Sequence, residues 1–161
     1  MPPIVVEQAS QLPLAATAVW ERVTTPAGIR DELRPLLSMT MPPGLRGRSV
    51  ADAGELLDRP LGKAWVLLLG VLPVEYDDMR IVALEDGRSF HERSRMLLLS
   101  SWEHERSVIP LGAGECEVRD RLTFLPRVLP DHRVVRGSTY RLVRALFRHR
   151  HRRLAAWGSR Q

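Results

Sequence analysis

The sequence predicts an α+β fold in which a curved antiparallel sheet wraps around one long C-terminal helix. Between residues 62 and 126 the apolar residues alternate with a period of two, interrupted by turn residues, which is typical of a strand meander. From Ser138 to about Trp157 the period becomes helical, and Gly158 can terminate that helix. A sheet with one apolar face needs a cover, and the terminal helix is the obvious one.

The N-terminal third predicts one strand and two helices. IVVEQAS (4–10) alternates weakly and indicates a first strand, and AATAVWERVTT follows with apolar residues at helical spacing. Thr25-Pro26 restarts a helix, because proline is favoured in a first turn, and this second helix is interrupted near Pro35. A loop with about one helical turn leads to residue 62.

The meander is predicted to contain about five strands. AWVLLLGVL (64–72) is apolar on both faces and indicates a strand covered on each side. DMRIVAL and SFHERSRM flank an Asp86-Gly87 turn, which is a strong hairpin signal. A second hairpin joins SWEHERSVIP to ECEVRDRLTF, and Pro126 and Pro130 end the sheet region.

Strand parity assigns several ionisable residues to the inner face of the sheet. The inner positions are Phe90, Glu92, Ser94, Met96, Trp102, His104, Arg106, Val108, Cys116, Val118, Asp120, Leu122 and Phe124. Turn geometry places Arg106 opposite Asp120 and opposite Glu92, Val108 opposite Val118, His104 opposite Leu122 and Ser94, and Trp102 opposite Phe124. Glu105 then pairs with Arg121 on the solvent face.

Glu92, Arg106 and Asp120 therefore form one internal row with an excess negative charge. On the terminal helix an inward stripe contains Thr139, Val143, Leu146, Phe147, Leu154 and Trp157, with Arg150 near its centre. We expect Arg150 to complete the network. A purely structural anchor for the helix is favoured over a functional site, since ionic networks perturb groups for both reasons.

Composition is that of one globular domain spanning residues 1–161, with 44% apolar and 27% charged residues. No apolar run approaches the ~20 residues of a membrane span, and the N-terminus lacks a secretory signal, so neither membrane insertion nor secretion is expected. The single cysteine, Cys116, excludes an intramolecular disulfide and indicates a cytoplasmic setting. Cys116 is expected to pack rather than react, for want of an activating base.

Basic charge is concentrated in the terminal helix, where residues 133–161 hold nine arginines and no acid. Four of them face outward, namely Arg141, Arg144, Arg148 and Arg152. With His149 they could contact nucleic acid or anionic lipid. A solvated face, neutralised by the acidic body or by a second subunit of a homodimer, is favoured, and no specific nucleic-acid partner is expected. His149 and His151 lie on different helix sides, so no metal is predicted.

The segments FHERSRM, WEHERSVIP, VRDRLTFLPR and LFRHRHRRL, in this element order, resemble the START-like ligand-binding superfamily (SRPBCC), in particular its bacterial polyketide cyclase/dehydrase-like members. The resemblance implies a helix-grip fold with a mainly apolar cavity between the last helix and the sheet. It implies no cofactor. Members of the superfamily bind lipids, hormones or polyketides, and a minority catalyse cyclisation or dehydration.

The inward residues are then the candidate ligand site. They are Trp102, His104, Arg106, Asp120, Leu122, Phe124, Val143, Phe147 and Arg150, with Trp65 and Tyr76 at the rim. The predicted function is binding of a small hydrophobic or amphipathic molecule. One alternative is a cyclase, aromatase or dehydrase that uses His104 with Glu92 or Asp120 as acid and base. A structural role, in which His104 hydrogen-bonds Ser94 or a backbone carbonyl, is favoured over a catalytic role. The second alternative is electrostatic binding through the arginine face.

Overall fold

The computed structural model describes residues 2–127 and 132–161 and has the predicted α+β helix-grip fold. One antiparallel sheet of seven strands has the order β1-β7-β6-β5-β4-β3-β2. The strands are β1 (Ile4–Leu12), β2 (Leu37–Met39), β3 (Gly62–Leu68), β4 (Leu72–Glu85), β5 (Ser89–Met96), β6 (Leu99–Gly112) and β7 (Glu115–Pro126). The short strand β2 was not predicted from the sequence. The predicted role of Pro130 lies outside the described residues.

Three α-helices accompany the sheet, and they are α1 (Ala16–Thr24), α2 (Pro26–Leu33) and α3 (Arg133–Gly158). The Thr25 hydroxyl accepts a hydrogen bond from the Gly28 amide (3.2 Å), which caps α2 behind its first-turn proline. Short 3₁₀ segments occur at Pro43–Leu45 and Val50–Leu56. No helix in the described ranges is both long and apolar enough to cross a bilayer.

The start of α3 differs from the prediction. Ser138 lies inside the helix rather than at its N-cap, because the helix already begins at Arg133. The intervening Gly137 costs a helix only about 1 kcal/mol, which is too little to stop a helix that is anchored further along. The predicted end at Gly158 is confirmed.

Strand registers agree with the prediction on one side of β6 and differ on the other. Between β6 and β7, Arg106 lies opposite Asp120 and Trp102 opposite Phe124, as predicted. Between β5 and β6 the predicted register is wrong by two residues, since Glu92 lies opposite His104. The turn consists of Leu97 and Leu98 alone rather than five residues. A shift of two keeps every side chain on its predicted face.

The apolar run 64–72 is not a strand covered on both sides. It contains the β3–β4 turn, and four of its side chains are well exposed, with 46% for Trp65, 67% for Leu69, 79% for Val71 and 57% for Leu72. Period alone cannot distinguish a buried strand from an apolar hairpin, so this prediction was wrong.

Two apolar clusters fill the space between α3 and the concave face of the sheet. Val143 and Phe147 pack with Ile4, Trp102 and Phe124 at one end, while Leu154 packs in the second cluster near the other. The first turns of α3 therefore lie at the same end as the β3–β4 and β5–β6 turns. We call this end, where the helix and the β3–β4 hairpin extend past the paired part of the sheet, the open end.

Candidate functional site

A buried carboxylate, Asp120 on β7, is the centre of a polar network between the two apolar clusters. Arg106 donates two hydrogen bonds to it, each of 2.7 Å, and His104 donates a third of 2.8 Å. His151 of α3 donates a fourth through Nε2 (2.8 Å), while its Nδ1 lies 2.8 Å from the Ser10 hydroxyl. Parity alternation on β6 and β7 brings these groups together, and α3 adds the second imidazole.

Arg106 also links the sheet to the helices. Its Nη1 donates to both carboxylate oxygens of Glu32 on α2, at 2.9 and 3.0 Å. Arg150 of α3 donates to Glu32 Oε2 at 3.0 Å and lies over the Phe147 ring. Glu32 is thus held between two guanidiniums, which offsets the cost of burying its charge.

The network continues toward the open end through Glu92 and Asp77. Ser94 donates a 2.8 Å hydrogen bond to Glu92 Oε1, and His104 Nδ1 lies 3.9 Å from Glu92 Oε2. Asp77 of β4 is 4% exposed, and its carboxyl group lies beside Glu92 and Ser94. Its Oδ1 is buried and has no hydrogen-bond partner among the described residues.

Neighbouring charges divide these groups into ionised and neutral members. Burial and the charge of Glu92 raise the pKa of Asp77 well above its ordinary value, which favours the protonated carboxyl. Burial alone would also raise the pKa of Asp120, but Arg106 and His104 outweigh it and hold that pKa well below the ordinary value. Against the opposing effect of burial, His104 lowers the pKa of Glu92.

The surroundings of His104 correspondingly favour its charged form. Burial would lower the pKa of the imidazole, but the hydrogen bonds and charges of Asp120 and Glu92 outweigh burial and raise it. His104 and Arg106 thus contact Asp120, while Arg106 and Arg150 contact Glu32. The ring donates a hydrogen bond to Asp120 and lies beside Glu92, rather than bonding Ser94 or a backbone carbonyl as predicted.

The predicted network needs one correction in its connections. Arg150 is buried, as expected, but it bonds Glu32 rather than Glu92 or Asp120. Glu92 does not bond Arg106, because the β5–β6 register places it opposite His104. All nine predicted ligand-site residues face the interior and are buried. Whether they contact a ligand stays a prediction.

The two predicted rim aromatics lie elsewhere on the surface. Trp65 and Tyr76 are on the outward face of the β3–β4 hairpin, with ring centroids 6.0 Å apart, and Lys63 lies over the Tyr76 ring. The outward-facing arginines of α3 are exposed as predicted. Cys116 is buried, and burial raises the pKa of its thiol, which disfavours the reactive thiolate.

Sequence reasoning missed three members of the network, namely Glu32, Asp77 and His151. The sequence contained a signal for two of them. Asp77 precedes Met79 and Ile81 at the same parity, and His151 follows Phe147 by four residues on the inward stripe. Glu32 lies beside Leu33 on the buried side of a helix too short to show a clear period.

Two surface cavities have volumes of about 380 and 410 Å³, and Ser94 and Trp102 are among the residues that line the first. The first opens beside Asp78, Arg80 and Arg93, on the face of the sheet opposite to Asp77. The second lies at the β4–β5 turn near Arg88. No described residue of α3 lines either one. In the described ranges, no three histidine, cysteine or acidic residues are placed to hold a metal ion.

Solved structures confirm the START-like fold. A START superfamily protein from Mycobacterium smegmatis superimposes with a TM-score of 0.64 at 11% identity, covering 93% of this chain and 96% of its own. The ZhuI aromatase/cyclase from Streptomyces sp. R1128 gives a TM-score of 0.65 at 14% identity, covering 98% and 94%. The di-domain aromatase/cyclase BexL from the BE-7585A biosynthetic pathway gives 0.67 at 13% identity, and the match covers 95% of this chain and 45% of BexL.

No curated protein matches the sequence. A family model matches residues 10–157, which is nearly the whole chain and contains every member of the polar network. The chain therefore belongs to the family described as domain of unknown function DUF8410.

Proposed function

We propose that this protein binds a small amphipathic molecule at the open end of the grip, with a hydroxyl group of the ligand directed at Asp77. The observation that carries the proposal is the unpartnered, buried Oδ1 of Asp77 on the concave face of the sheet. An unsatisfied buried acceptor costs about 1–3 kcal/mol, and a ligand donor would recover that cost.

The surroundings of Asp77 favour an apolar ligand body. Asp77 lies opposite Met96, and Met96 belongs to the buried apolar cluster with Leu99, Trp102 and Phe147. A site that is mostly apolar with a few placed polar groups is the usual design of small-molecule pockets. Towards the other end, Asp120 and Arg106 occupy the centre of the grip, so we place the ligand on the open-end side of the network.

The protonation of Asp77 specifies which polar group the ligand presents. In this proposal the Asp77 proton faces Glu92, and Oδ1 is the acceptor left for the ligand. The ligand group is therefore a donor, such as a phenol or an alcohol. Structural neighbours that are named aromatase/cyclases support an aromatic or polyketide-like ligand as the class to test.

The test compares two probes that differ in one hydrogen-bond donor, 2-naphthol and 2-methoxynaphthalene. We expect the protein to bind 2-naphthol about tenfold more tightly by calorimetry, which is the value of one buried hydrogen bond. Asp77→Leu should abolish this preference, and Asp77→Asn should keep it through the amide oxygen. Asp78→Leu, on the opposite face, is the matched control. Equal affinities of the wild type for the two probes would contradict the proposal.

Acid–base catalysis of the dehydratase type is a second candidate, favoured by the retained proton of Asp77 next to Glu92 and the protonated His104. In this role Glu92 accepts the proton from the carbon next to the ketone, and Asp77 protonates the hydroxyl, which leaves as water. The proton on Glu92 then returns to Asp77. His104 itself contacts carboxylates on both sides, so it acts behind Asp77. The test is the dehydration of 4-hydroxy-4-phenylbutan-2-one, followed by its ultraviolet absorbance. Acceleration by the wild type but not by Asp77→Asn is expected, and equal rates would exclude it.

A further inference from the structure

Exposed apolar side chains are concentrated at the open end. Of fifteen large hydrophobic side chains that are exposed in the described residues, nine lie there. They are Leu36, Leu68, Leu69, Val71, Leu72, Val74, Leu97, Leu98 and Val134. Scattered single exposed hydrophobics need no explanation, but a contiguous group at one end marks an interaction surface.

The tip of the β3–β4 hairpin keeps a leucine where the backbone disfavours it. Leu69 and Gly70 are the two central residues of the turn and have φ of 51° and 77°. Such a turn favours Asn-Gly, because a left-handed conformation brings the Cβ of most other residues too close to a backbone carbonyl and raises the energy of the folded state. Leu69 nevertheless stands there, 67% exposed, with Val71 at 79%. A leucine kept in a left-handed conformation with an exposed side chain points to a function for that side chain.

The polar groups around the tip are cationic or amphipathic. Arg34 lies near the tip, since the Leu36 carbonyl two residues later accepts from the Leu69 amide, and Arg133 begins α3. The nearby carboxylate of Glu75 is engaged by the backbone amides of Leu97 and Leu98 at 2.6 and 3.0 Å. Below the tip the exposed Trp65–Tyr76 pair presents the two residue types that anchor at a membrane–water interface.

We propose that the open end docks on the surface of an anionic membrane. Leu69 and Val71 enter the boundary between headgroups and acyl chains, while Arg34 and Arg133 face lipid phosphates. A second copy of the chain fits less well, because a two-fold contact at this end would bring the arginines of one copy against those of the other. Membrane docking requires no bound ligand, so this proposal does not depend on ligand binding at Asp77.

The test is co-sedimentation of the full chain with vesicles of phosphatidylcholine alone or mixed with phosphatidylglycerol. We expect binding to the mixed vesicles that weakens as sodium chloride is raised. The Leu69→Asn/Val71→Ser variant should bind about tenfold more weakly, through loss of apolar burial. Its melting temperature should stay the same or rise, since asparagine relaxes the turn. Leu111→Ser, an exposed leucine at the other end, is the matched control.

Three results would overturn the proposal. The first is no binding of the wild type to either vesicle. The second is binding that the tip variant leaves unchanged but that Arg148→Glu on the outer face of α3 abolishes, which would indicate purely electrostatic contact. The third is a wild-type dimer in light scattering that the tip variant dissociates, which would make this end a self-interface.

Discussion

Two regions between α3 and the sheet differ in how their polar groups are satisfied. One is the centre of the polar network, around Asp120, and the other is the open end. At the centre, Asp120 and Glu32 are buried together with Arg106, and every charge has a partner. At the open end a buried carboxyl oxygen of Asp77 has none, and leucines stand in solvent. The centre is thus satisfied by its own side chains, whereas the open end is left incomplete.

This difference separates structural charge from functional charge. A closed network of ion pairs fixes the position of α3, and its removal damages folding. An unpaired buried group and exposed apolar surface lower stability, and no contact within the protein compensates for them. They are therefore expected where another molecule binds. The perturbed residues at the centre, His104 and Asp120, are therefore weaker site candidates than Asp77.

The largest predicted effect is at Arg106. Arg106→Met leaves Asp120 and Glu32 buried with fewer partners, and the free energy of unfolding should fall by about 3–5 kcal/mol. Urea denaturation measures this. The matched control is Arg121→Met on the exposed face of β7, which should change stability by less than about 0.5 kcal/mol. Similar values for both variants would mean that the centre is no more critical than the surface.

Arg150→Ala should have an intermediate effect. Glu32 loses one of its two guanidiniums but keeps Arg106, so we expect a loss of about 2–3 kcal/mol. Thermal denaturation compares it with Arg148→Ala, two residues earlier on the exposed face, which should be near neutral. An unchanged melting temperature of Arg150→Ala would show that the network does not anchor α3.

Asp77→Asn should stabilise the protein at neutral pH, by about 1 kcal/mol. The folded-state pKa of Asp77 is raised, so the protein loses stability as pH rises above the ordinary value of 3.8, where the unfolded state ionises. Asparagine cannot ionise and avoids that loss. The gain should vanish below pH 3.8 and be absent in Asp78→Asn. A destabilised Asp77→Asn at neutral pH would place an ionised Asp77 in the folded state.

The smallest effect is a slope in the pH dependence of stability. Because the folded-state pKa of His104 is raised, its contribution is fully present below pH 6.5 and is lost as pH rises through the folded-state pKa. Urea midpoints should therefore decline above pH 6.5 in the wild type and in Asp77→Asn, but less in His104→Gln. An identical decline in His104→Gln would assign the titration to another group.

The alternation of side chains along the strands made much of the centre of the polar network predictable from the sequence. Alternation on β6 and β7 placed Arg106 and Asp120 inside and opposite each other, and helical spacing turned Arg150 inward. The β5–β6 register was missed because it depends on whether the loop holds two residues or five, which composition does not specify. Partners from distant elements, such as Glu32 on α2, depend on helix docking that no local pattern encodes.

The open end was harder to predict for a physical reason. AWVLLLGVL has the composition of a buried strand, and only Gly70 indicates the turn that exposes it. Exposed leucine runs contradict the usual relation between hydrophobicity and burial. Sequence reasoning that relies on that relation fails where a turn exposes an apolar run.

The most direct test of ligand binding at the open end is amide chemical-shift mapping by NMR during titration with 2-naphthol. The predicted result is saturable shift changes centred on Asp77, Met96, Trp102 and Val143, with little change at the β4–β5 turn around Gly87. Changes centred on Gly87, or no changes at any probe concentration, would contradict it.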